Sequence, residues 1–115
     1  VNLLMKLLTS LGSLTFMSEY QVMRWREIPS MVMARDGADT IKVMLPARFQ
    51  EAIDEAAMRM GEIDADAYTA GWNRDPWTPS DEVPAALAAR ITAALEEEFS
   101  ESKLQAILDA INPAN

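Results

Sequence analysis

The chain predicts an α+β fold: a small antiparallel three-stranded meander covered by a helix, followed by a short helix and two C-terminal helices. Three observations carry that prediction. The stretch YQVMRWREI alternates apolar and polar residues with period two. An Asp-Gly pair then separates two further apolar runs, MVMAR and TIKVML. After Pro46 the apolar spacing changes to three and four, which is the period of a helix face.

In the first strand, alternation sets Gln21, Met23 and Trp25 on one side and Tyr20, Val22 and Arg24 on the other. Pro29 lacks an amide donor and is expected to end it. Between the next two strands, Asp36-Gly37-Ala38-Asp39 reads as a hairpin turn, with Gly37 expected to supply a positive φ. The third strand shares Ile41, Val43 and Leu45 on one face, with Thr40 and Lys42 opposite. Short links between three consecutive strands imply antiparallel neighbours.

The segment LPARFQEAIDEAAMRMG is the best-defined helix. Pro46 suits its start, Gly61 its C-terminal cap, and Phe49, Ala52, Ile53, Ala56, Ala57 and Met60 form one apolar face. Glu51, Asp54, Glu55 and Arg59 make the opposite, solvated face, with Glu55 and Arg59 in the favourable i,i+4 order. A short helix capped by Asp64 or Asp66 then places Tyr68 and Trp72 one turn apart, and the prolines at 76 and 79 mark residues 73–82 as a loop. Beyond it, Val83, Leu87, Ile91, Leu95 and Phe99 recur every four residues. After a Ser100 cap, Leu104, Ile107, Leu108 and Ile111 form a second stripe. This gives an α+β domain over 17–77 and a C-terminal helical extension over 78–115 that packs either on the domain or on a partner.

Residues 1–16 are apolar with a single Lys. They lack a basic n-region and an Ala-x-Ala-like cleavage site, and they are shorter than the ~20 residues that span a bilayer. We read them as an apolar leader or an over-extended start, with Met17 as an alternative first residue. A short N-terminal helix packed on the domain and an export or membrane segment are the other readings.

Composition excludes more chemistry than it suggests. The chain has neither Cys nor His, so disulfides, thiolate or imidazole metal ligands, Cys or His nucleophiles and a His general base are all ruled out. No cofactor is expected. The net charge of -8, from 18 acidic and 10 scattered basic residues, makes nucleic acid and anionic membrane poor partners. The four glycines form no phosphate loop, Asp64 and Asp66 lack the other oxygen ligands of a calcium site, and Glu96-Glu97-Glu98 reads as a solvated helix face. The eight methionines are expected mostly in the core, filling gaps.

One stretch stands out. GWNRDPW places Arg74 and Asp75 between Trp72 and Trp77, and Trp and Arg are the residue types most enriched at interface hot spots. With Arg24 and Arg26, which flank Trp25, Arg74 and Trp77 form the candidate interaction patch. Trp25, Leu45, Phe49, Ile53, Tyr68 and Trp72 are assigned to the core.

The run from YQVMRWREIPS through ARDG, LPARFQEAIDEAAMRMG and DAYTAGW resembles the bacterial virulence factor domain family, which also occurs at the C-terminus of conserved virulence factor C proteins. The resemblance covers roughly residues 18–77. It transfers no catalytic residue. Relatives that accompany one-carbon and cobalamin-dependent methyl-transfer proteins imply an accessory role there, with a methyl-transfer or corrinoid protein as partner, although a chain without His lacks the usual lower axial ligand of cobalamin. The leading expectation is a cytoplasmic, non-catalytic accessory or interaction module with a protein partner. The alternatives are that methyl-transfer role and a small enzyme using only Asp, Glu, Arg, Lys or Tyr.

Overall fold

A computed structural model describes residues 17–111. The reading of residues 1–16 falls outside them. In chain order the elements are β1 (Ser18–Trp25), β2 (Ile28–Arg35), β3 (Thr40–Met44), α1 (Ala47–Met60), α2 (Ala65–Ala70), β4 (Trp72–Arg74), β5 (Thr78–Ser80), α3 (Pro84–Glu98) and α4 (Glu101–Ala110).

The fold is α+β, but its sheet has five strands and not the three of the expected meander. The antiparallel order is β3-β2-β1-β4, with β5 also paired to β1. Trp72 and the segment read as a loop, 73–82, supply the difference: Trp72, Asn73 and Arg74 pair with Trp25, Arg24 and Met23, while Thr78, Pro79 and Ser80 pair with Tyr20, Glu19 and Ser18. Pro79 is tolerated because β5 is a short edge strand.

Cross-strand rungs assign the two faces. Tyr20–Ala34–Ile41 and Val22–Val32–Val43 lie on the face that α1 and α3 cover, and they join Phe49, Ile53, Leu87, Leu95 and Phe99 in one core. Strict alternation fails once. Trp25, expected beside Gln21 and Met23, is completely buried in the same cluster as Val22. The register shifts between Met23 and Arg24, where the pairing passes over Ser30 of β2, and such a bulge resets which side later residues present. Pro29 therefore lies inside β2, and the turn comes earlier, at Arg26 and Glu27.

Arg26 occupies the left-handed region at φ 53, which costs a non-glycine residue roughly 1 kcal/mol. Its anchors hold it there. Its N–H donates to the Gly71 carbonyl at 2.7 Å, and its guanidinium pairs with Glu62 and lies 5.4 Å from the centre of the Trp25 ring. Gly37, by contrast, does not take the positive φ expected of it; among the described glycines only Gly61 does, at φ 74. The β2–β3 turn is built by Asp36, whose Oδ1 accepts from the amides of Ala38 and Asp39 at 2.8 and 2.7 Å.

Three helix boundaries fall where the sequence places them. Gly61 caps α1, Asp64 accepts from the Ala67 amide to cap α2, and Ser100 accepts from the Lys103 amide to cap α4. Three details differ. Met60 is 40% exposed because the buried face of α1 ends at Ala57, and Val83 is 51% exposed as the residue preceding α3. Arg59 is not simply solvated: besides Glu55 it donates to the Leu108 carbonyl at 2.8 Å and so ties α1 to α4.

The C-terminal helices are part of the domain. Leu87 is completely buried, Phe99 packs edge-on to Phe49 with ring centres 6.3 Å apart, and Arg48 donates to the carbonyls of Glu96 and Phe99 at the end of α3. Residue 77 is thus no boundary of packing.

Candidate functional site

The side of the sheet away from α1 and α3 carries the residues of interest. Met44, Met31, Met23 and Arg74 stand opposite one another on four successive strands, β3, β2, β1 and β4. Met44 is 62% exposed, Met23 and Met31 are half-buried, and Arg74 is exposed. Trp72 reaches the same place: Met23, Trp72, Asn73 and Arg74 line a shallow cleft of about 360 Å³. The site is therefore a band of thioether, indole and guanidinium groups across the strands.

The methionines were expected in the core. Of those described, only Met33 is buried; Met17, Met44, Met58 and Met60 are exposed. The signal for the band lay in three apolar strands each carrying a methionine, but their alignment needs the strand register, which no single strand reveals.

The four patch residues separate into different roles. Arg24 is engaged by Asp75 in a two-pronged contact, Nε to Oδ1 and Nη2 to Oδ2 at 3.0 Å each. Arg26 is engaged by Glu62. Trp77 is half-buried under Arg35, whose guanidinium carbon lies 3.7 Å from the ring centre while its head pairs with Glu19 at 2.7 Å. The Gln21 amide donates to the Asp75 carbonyl, so the Asp75–Trp77 segment lies against the sheet and leaves Gln21 and Met33 buried. Arg74 and Trp77, three positions apart in GWNRDPW, are thus divided: Trp77 belongs to Arg35, and Arg74 belongs with Trp72 and Met23.

Arg74 differs from every other arginine. Arg24, Arg26, Arg35, Arg59 and Arg90 have carboxylate partners, and Arg48 donates to backbone carbonyls. The Arg74 guanidinium has no hydrogen-bond or ion-pair partner among the described residues. In a chain with 18 acidic residues, a guanidinium left without a carboxylate is conspicuous.

Of the residues assigned to the core, Trp25, Leu45, Phe49 and Ile53 are buried. Tyr68 and Trp72 are half-buried and form a relay to the surface: Trp25 stacks on Tyr68 with ring centres 5.8 Å apart, and Tyr68 meets Trp72 edge-on at 6.0 Å. Trp72 is not in α2 as expected, because the helix ends at Ala70 and Gly71 begins the path into β4. The buried Trp25 Nε1 donates to the Tyr68 carbonyl at 2.7 Å, which fixes the inner end of the relay.

Among the described residues, no three His, Cys, Asp or Glu side chains are placed to hold a metal ion, and no helix is long and apolar enough to cross a membrane. Fold and site together define a small two-layer α+β domain, helices on one face and an open methionine–arginine band on the other. The chain belongs to the virulence factor family, whose model matches residues 23–108, from within β1 to within α4. That match takes in the two C-terminal helices, which the resemblance read from the sequence left out. Neither a curated protein nor a solved structure matches the chain.

Proposed function

We propose that this protein is a bacterial accessory module that works by docking a protein partner on the Met44–Met31–Met23–Arg74 band, without catalysis of its own. The observation that carries this reading is Arg74, an exposed guanidinium with no partner among the described residues, set beside half-buried Met23 and Trp72. Methionine, tryptophan and arginine are enriched at protein interfaces, and a thioether surface adapts its shape to what covers it. Burying the guanidinium against a partner's carboxylate would supply a charge-assisted hydrogen bond that Arg74 does not make among the described residues.

The test is affinity capture from the native host with the full chain and with Arg74→Ala, followed by a binding measurement on each captured protein. Arg74 is exposed, so the variant should melt within a few degrees of the parent while binding its partner more weakly by about 1 kcal/mol or more. Equal binding by both proteins refutes this use of the band.

A further inference from the structure

Resting on that reading, we infer that the docked element is a single amphipathic α-helix of about three turns, lying across the strands and carrying a carboxylate at the end that meets Arg74. The spacing of the band carries the argument. Neighbouring strands lie about 4.8 Å apart, so the path from Met44 through Met31 to Met23 is about 10 Å, and Arg74 lies about 14 Å from Met44. A helix advances 1.5 Å per residue, so these distances correspond to roughly seven and ten residues. Apolar side chains at i, i+3 or i+4, and i+7 would therefore each meet one methionine, and a Glu or Asp at i+10 or i+11 would meet Arg74. All of these positions share one helix face.

Two further observations limit the occupant. The Asp75–Trp77 segment already covers the neighbouring rung, where Gln21 and Met33 are buried, so the open part of this face is narrow. Lys42, exposed and two residues from Met44 on the same side of β3, adds a second cation without an ion-pair partner among the described residues. Both charges left without an ion-pair partner at the band among the described residues are positive although the whole chain carries -8, so an acid is favoured where the helix meets the band, and a basic residue is repelled there even though the remainder of the surface is negative. An extended segment adding to the β3 edge is less well served, because Lys42 stands at the middle of that strand and guards it.

The test is selection of displayed random 14-residue peptides on the full chain, with Met44→Asp as the counter-selecting variant. Met44 is 62% exposed, so this change removes one anchor and adds a repelling charge without disturbing the core. The expected result is peptides that the counter-variant releases and that share the apolar i, i+4, i+7 stripe followed by an acid. A selected peptide should bind Arg74→Glu at least tenfold more weakly and recover when its own acid is changed to Lys. Peptides that depend on both Met44 and Arg74 but alternate with period two overturn the helix inference and leave the docking band standing. Selected peptides that bind Arg74→Glu as well as the parent overturn both.

Discussion

Replacing Gly71 with Ala should destabilise the protein severely, although Ala is the better residue for a helix end. Gly71 has ordinary right-handed backbone angles, φ -77 and ψ -19, so conformational freedom is not why glycine is there. Space is the reason. A Cβ on Gly71 would lie 2.4 Å from both Cε2 and Nε1 of Trp25 and 2.9 Å from its Cζ2, well inside van der Waals contact. The indole cannot step aside cheaply, because Trp25 is completely buried, stacked on Tyr68 and bonded through Nε1 to the Tyr68 carbonyl. Withdrawal of the Gly71 backbone would instead break its 2.7 Å bond from the Arg26 amide, which holds the strained turn. Overpacking of this kind costs about 1–3 kcal/mol and a lost buried hydrogen bond about 1–3 more, against a gain of at most about 1 from helix propensity. The net loss is about 1–5 kcal/mol, a large part of the stability of a domain this size. Urea unfolding followed by circular dichroism gives the magnitude, and exchange of the Trp25 indole proton reports whether its bond survives. Gly37→Ala is the control, since Gly37 has nothing within 4 Å of its would-be Cβ and no positive φ; it should stay within about 0.5 kcal/mol of the parent. An unchanged midpoint for Gly71→Ala with the indole proton still protected would refute the steric argument.

Three other outcomes are expected. Leu87→Ala should cost about 2–5 kcal/mol in urea unfolding, because a completely buried side chain of α3 is removed from the shared core; a loss under about 0.5 kcal/mol would mean that the helix is dispensable to the sheet. Phe49→Ala should cost about 3–5 kcal/mol and release Phe99, which is checked by loss of protection at the end of α3 in hydrogen exchange. The Asp36 carboxyl is held below its ordinary value of 3.8, chiefly by the Asp39 amide and then by that of Ala38. A depressed folded pKa stabilises fully above the unfolded value and loses this effect as pH falls through the folded one, so the stability gap between the parent and Asp36→Ala should be constant at neutral pH and close below about pH 4. A gap independent of pH would remove the ionised carboxylate from the turn.

Local chemistry was legible in the sequence, and long-range pairing was not. Gly61, Asp64 and Ser100 end or begin helices through contacts with residues only a few positions away, so their types announced their roles. The apolar face of α1 was readable for the same reason, up to Met60, where the partner surface runs out. Thr78-Pro79-Ser80 carries no strand signal, since three residues containing a proline become β5 only by lying against Ser18–Tyr20. Trp25 was placed on the wrong side because the bulge opposite it belongs to β2 and is invisible within β1. The same limit applies to the site. Arg74 was identifiable as an arginine between two tryptophans, whereas its lack of a carboxylate partner among the described residues, the capture of Trp77 by Arg35, of Arg24 by Asp75 and the alignment of Met23, Met31 and Met44 all depend on register between distant segments.

The position of β1 has a consequence for how the chain acquires its shape. β2 follows it through a short turn and can pair with it as soon as it is synthesised, with β3 then pairing to β2, but the other side of β1 waits for β4 and β5. The Ser18 hydroxyl finds the Ser80 carbonyl 62 positions further on, and the Arg24–Asp75 contact spans 51. Closing loops of that length is slow compared with forming a helix, and Leu87 and Phe99, which complete the core over the sheet, emerge later still. During translation the future central strand is therefore a bare edge beside an uncovered apolar face, the form most prone to pair with another nascent chain. A ribosome-stalled chain ending shortly before Trp72 should be the aggregation-prone intermediate, and extension past Phe99 should relieve it.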